Sequence, residues 1–145
     1  MTRMPPHARC QVPAPLPIGP ALRRGWRLTV FEAAGATIRL GARSRGMDAL
    51  LAARRVRRGA IIGAWNPLGR RVAAGRNDVA HRRLRALAGP GAIEAWGRAA
   101  RPSWAERHLL IPCDWRRAGV LAHRFRQHAI LCLRLRAPCF LRVLR

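Results

Sequence analysis

Lysine and tyrosine are absent from the 145 residues, serine occurs only as Ser44 and Ser103, and six acidic residues face 29 arginines. Neither serine sits in a nucleophile elbow, which removes one common hydrolase signature. Cys10, Cys113, Cys132 and Cys139 form no C-x-x-C pair and no zinc-ligand spacing, and no H-x-x-x-H pair exists, so no metal site is expected. No nucleotide-binding fingerprint is present, and no cofactor can be assigned. No apolar run approaches the length of a membrane span. Pro5, Pro6, Pro13, Pro15, Pro17 and Pro20 interrupt any apolar signal region or helix near the start. With Cys132 and Cys139 lying in apolar runs, these absences point to reduced, buried thiols and a cytoplasmic location.

What remains is hydrophobic and very basic. Half the residues are apolar, enough for one domain with an ordinary core, and the formal net charge is +23. Such an excess suits a polyanion partner, because neutralising phosphates releases counterions. Arginine, alanine, glycine and proline are also the residues that GC-rich codons encode, so coding bias is the competing explanation. The arginines are scattered in short groups, such as Arg54-Arg55, Arg82-Arg83 and Arg116-Arg117, rather than gathered in one tract. Either origin gives non-specific attraction to nucleic acid or anionic lipid at low salt.

The pattern predicts a disordered, Pro/Arg-rich extension over residues 1–24 and one α+β domain over 25–145. Residues 27–31 and 36–40 read as a hairpin, and Ser44 caps a helix carrying Met47, Leu50 and Leu51. Residues 60–65 are apolar on both faces, which places them mid-sheet. A helix runs from Ala73 to the Gly89-Pro90-Gly91 breaker with Ala73, Asn77, Ala80, Leu84 and Leu87 inward. A short helical piece with Ile93 and Trp96 then leads into a loop over 101–106. Strand 108–111, a helix capped by Asp114, and strands 129–133 and 139–144 complete the order ββαβαβαββ. The expectation is a mixed β-sheet of five to six strands with helices mainly on one face.

Four polar groups stand out against this frame. Asn66 ends the central strand, Asn77 lies on the inner stripe of the next helix, Glu106 precedes strand 108–111, and Gln127 precedes strand 129–133. They can meet at one sheet edge only if the central strand runs antiparallel to the other two. His81, His108 and His123 each share a face with one of the four, which would suit an acid–base cluster. Cys113, at a helix N-terminus, is placed where the dipole could lower its pKa.

The blocks AWNPLG (64–69), Asn77 with Leu84 and Leu87, WAERHLL (104–110) and LAHRFRQHAIL (121–131) resemble an uncharacterised bacterial family known only as a domain of unknown function. Its pattern runs Ala-aromatic-Asn-Pro, a helical Asn, Trp-x-Glu, then Phe-Gly-Gln-Asn-Ala. The resemblance implies that Asn66, Asn77, Glu106 and Gln127 occupy the family's polar positions. Arg126 and His128 depart from the last block.

Each position also has a structural reading. Asn66 before Pro67 can close a turn, Asn77 can satisfy strand-end backbone, Glu106 can pair with a guanidinium, and Gln127 can cap its helix. The functional expectation is a polar pocket of these four residues binding a small anionic or nucleotide-like ligand, with nearby arginines supplying charge. If the protein is an enzyme, Glu106 is the expected general base and the amides orient the substrate. The alternative is an arginine-rich nucleic-acid-binding protein that stacks bases on Trp65 or Trp104. A third reading is a subunit that buries tryptophans against a partner protein.

Overall fold

Ala34 and Gly35 adopt φ of 48° and 81°, the paired positive values of a tight hairpin turn. They join β1 (Val30–Ala33) to β2 (Ala36–Arg39) in a computed structural model that describes residues 18–100 and 103–144. Ahead of the hairpin lies α1 (Pro20–Leu28), which starts with proline at a position where a missing N–H costs nothing. The expected boundary at 24/25 therefore falls inside a helix. The rest of the expected extension, residues 1–17 with Cys10, lies outside the described residues.

Ser44 Oγ accepts a hydrogen bond from the Met47 amide (3.1 Å) and starts α2 (Arg45–Ala53). β3 (Arg58–Gly63) follows, then a single 3₁₀ turn over Pro67–Gly69 and α3 (Ala74–Ala88), which ends on Gly89 at φ 86°. Two long strands come next, β4 (Ile93–Ala100) and β5 (Ser103–Ile111). Asp114 Oδ1 caps α4 (Trp115–Arg124) by accepting from the Arg117 amide at 2.8 Å. β6 (Ala129–Arg134) and β7 (Phe140–Val143) complete the chain.

All seven strands form one sheet in the order β2-β1-β4-β5-β3-β6-β7, curled as a half-barrel. Every neighbouring pair is antiparallel, which corrects the mixed sheet and the five to six strands expected from sequence. The additional strand is β4, expected as a short helix from the i, i+3 spacing of Ile93 and Trp96. Its inward residues are Ala95 and Gly97, too small to mark a period of two. β5 also begins earlier than expected, because Ser103 to Glu106 pair with Ala100 to Gly97.

Helices cover both faces rather than mainly one. Ile61 and Ile62, adjacent on β3, point to opposite sides. Ile61 shares a cluster with Phe31, Leu110, Leu131 and the α2 residues Met47 and Leu51. Ile62 packs with Leu109, Ile130, Leu84 of α3, and Ala118 and Ala122 of α4. α3 is rotated from its expected phase: Asn77, His81, Leu84 and Ala88 are buried, while Leu87 is exposed. Cys113, Cys132 and Cys139 are free thiols. Burial pushes Cys132 up to about 11 and also raises Cys113, so desolvation overrides the helix-end lowering expected there. No helix among the described residues is long and apolar enough to cross a membrane.

Candidate functional site

The antiparallel run of β3 against both β5 and β6 decides where the polar residues go. Gly63, at the end of β3, lies opposite His108 of β5, and Ile61 lies opposite Leu131 of β6. The chain leaving β3 therefore emerges beside Glu106 and beside the segment entering β6. A backbone hydrogen bond from Leu68 to the Arg126 carbonyl (2.6 Å) holds these two loops together. All four residues singled out from sequence gather at this rim.

Asn66 is the hub. It adopts a left-handed conformation (φ 46°, ψ 64°) that asparagine tolerates better than most residues. Its Nδ2 donates to Glu106 Oε1 at 2.8 Å, and its Oδ1 accepts from Asn77 Nδ2 (3.1 Å) and the Val72 amide (3.2 Å). Asn77 Oδ1 accepts from the Asn66 backbone amide at 2.9 Å. Asn77 is 5% exposed, and its amide is committed at both ends. It braces the loop and does not line the cavity beneath it. Gln127 Nε2 donates to the carbonyls of Trp65 (3.1 Å) and Phe125 (3.2 Å). Two carbonyl partners require the NH₂ on that side, so Oε1 points the other way.

His108 lies on the same face of β5 as Glu106, two residues on. Its Nδ1 donates to the Glu106 carbonyl at 3.0 Å, which leaves Nε2 as the acceptor of the neutral ring. Burial pushes its pKa below the ordinary value and outweighs the Glu106 carbonyl and charge, which favour protonation. The ring lies between two glycines. A Cβ on Gly63 would stand 3.1 Å from Nε2, and one on Gly97 would stand 3.1 Å from Cε1. Phe31 meets the imidazole edge-on, with ring centroids 5.6 Å apart.

These groups close one end of a cavity of about 450 Å³, within the usual size for small-ligand sites. Phe31, Ile61 and Leu131 make an apolar floor, and Leu22, Gly25 and Trp26 of α1 face it from the other side. Trp104 and the exposed Arg71 also line it. Arg71 is the one arginine among the described lining residues, so the expected group of charge-supplying arginines is not gathered there. Sequence reasoning saw His108 only as a neighbour of Glu106 and missed α1 and Trp26 as cavity walls. Two glycines opposite a strand histidine were the available signal for the first.

Glu106 is paired differently from three of the other carboxylates. Glu32 pairs with Arg98, Asp48 with Arg43, and Glu94 with Arg85, Arg107 and His81. Among the described residues Glu106 meets no guanidinium. The described residues also contain no cluster of three or more His, Cys, Asp or Glu that could hold a metal.

Fold and site together define an α+β protein with a single antiparallel sheet and a cavity capped at one end by polar side chains. Residues 62–130 match the model of the family described as "Protein of unknown function (DUF3293)", a segment that contains Asn66, Asn77, Glu106, His108 and Gln127. That match overlaps the four sequence blocks that resemble a family of unknown function. No curated protein and no solved structure matches the chain.

Proposed function

We propose that the protein binds a small, flat, nucleotide-like ligand in the cavity between α1 and the sheet. Its ring would lie on the floor of Phe31, Ile61 and Leu131, with Trp26 and Trp104 as further walls. An anionic group would reach Arg71 at the exposed side. The observation that carries this reading is the cavity itself, about 450 Å³, with Phe31, Ile61 and Leu131 lining it together with Glu106, His108 and Gln127.

The test titrates adenosine 5′-monophosphate and cytidine 5′-monophosphate into the protein by calorimetry at 0.15 M salt. An Ala129→Phe variant serves as the block, because Ala129 lines the cavity and is not fully buried. The expected result is saturable binding that Ala129→Phe weakens at least tenfold while far-UV circular dichroism stays unchanged. Equal affinity in both proteins would put the contact on the arginine surface and overturn the reading, as would no binding by either nucleotide.

A further inference from the structure

The hydrogen-bonding sense of the cavity's polar end points to a particular class of ligand head group. All four amide and imidazole donors at the rim are used within the fold. Asn66 Nδ2 is committed to Glu106, Gln127 Nε2 to two backbone carbonyls, and His108 Nδ1 to the Glu106 carbonyl. The fourth, Asn77 Nδ2, is committed to Asn66. Three lining residues keep an acceptor that makes no hydrogen bond among the described residues. Glu106 keeps its second carboxylate oxygen, Gln127 keeps Oε1, and His108 keeps the Nε2 lone pair.

These acceptors are close together. Gln127 Oε1 and His108 Nε2 lie 3.5 and 3.1 Å from the same point above Gly63. Trp65 Nε1 and His128 Nε2, on two other lining residues, are buried without a hydrogen-bond partner. Arg71 and Ser103 are exposed lining residues. Among the described residues Glu106 has no guanidinium partner.

From this arrangement we infer that the cavity takes a planar head group carrying at least two N–H donors, such as an amidine, a guanidine or an amino-substituted heterocycle, and rejects an anionic head group of the same shape. This rests on the cavity being a ligand site, and it assigns that ligand's polar edge. Glu106 accepts from one N–H, and Gln127 and His108 accept from a neighbouring one. An anion placed against Glu106, Gln127 Oε1 and His108 Nε2 would face three acceptors, an arrangement with a steep desolvation cost.

Benzamidine and benzoate make the sharpest pair of probes, equal in shape and opposite in charge and donor sense. Indole, neutral and flat, reads the apolar cavity alone. Binding is followed by methyl chemical-shift changes at Ile61 and Leu131 in wild type and Glu106→Gln. The variant keeps an oxygen to accept from Asn66, and indole binding to it reports an intact cavity. The expected result is benzamidine at least tenfold tighter than benzoate, a tenfold loss of benzamidine affinity in Glu106→Gln, and indole unaffected. Against a net charge of +23, non-specific attraction works in the opposite direction, toward benzoate. Benzoate binding as tightly as benzamidine at those methyls, or Glu106→Gln leaving benzamidine unchanged, overturns the inference while indole binding upholds the cavity. If neither indole nor benzamidine moves those methyls, both the cavity reading and this one fail.

Discussion

Glu94 on β4 and Glu106 on β5 sit on opposite faces of one sheet and are satisfied in opposite ways. Glu94 closes a network beneath α3: His81 Nε2 reaches it at 2.9 Å, Arg107 at 3.1 Å, and Arg85 joins them. Burial works against its charge, but His81, Arg107 and Arg85 together hold its carboxyl below the usual range. Every partner comes from the fold, and α3 and β5 are tied to β4 as a result. Among the described residues Glu106 is held by a single neutral amide, on the face of the sheet that lines the cavity. The comparison separates a carboxylate that stabilises the fold from one that the fold positions and leaves open.

The largest expected effect comes from removing the brace behind Glu106. Asn66→Ala strips partners from Asn77, the Val72 amide and Glu106 together, and puts alanine in a left-handed conformation. It should cost about 3 kcal/mol in urea unfolding. A loss under about 1 kcal/mol would mean that the hub does not organise the rim. A direct contrast between the two carboxylates is smaller. Glu94→Gln should lower stability by about 1–2 kcal/mol by weakening three charge-assisted contacts around a buried histidine. Glu106→Gln should change it by less than about 0.5 kcal/mol. Equal losses would erase the distinction.

The smallest effect is a slope with pH. The folded-state pKa of His108 lies below its ordinary 6.5, so the unfolded chain takes up the proton first on acidification. This contribution to stability is present above that value and is lost as pH falls through it toward the folded pKa. Glu94, with its pKa lowered, adds a second loss only below its ordinary 4.5. Urea midpoints from pH 8 to 5.5 should therefore fall in wild type and fall less in His108→Asn. Parallel curves would show that the imidazole titrates as it does in the unfolded chain.

Much of the rim was legible from sequence because it depends on order and direction rather than on packing detail. Asn66 ends an apolar strand, Glu106 and Gln127 precede theirs, and only antiparallel neighbours bring the three together. The Ser44 and Asp114 caps were equally readable, since each needs one oxygen at one position. β4 was hidden because its cavity-side residues are alanine and glycine, kept small beside the His108 ring. The inner stripe of α3 was misplaced because His81, a polar residue, turns inward to reach Glu94. α1 gave little signal, being nine residues long with none fully buried. The position where the resemblance expects glycine is occupied by Arg126 at φ 54°, so the chain keeps the backbone shape with a less suited residue.

With Arg71 alone among the described cavity-lining residues contributing a guanidinium, ionic strength becomes a selector. The surrounding positive field repels an approaching cation over a Debye length of about 10 Å at 0.1 M salt. Raising the salt shortens that reach, so uptake of an amidine should strengthen just as loose capture of phosphates by the exterior fades. Brine would sort the two kinds of guest, quietening the outer coat and opening the chamber.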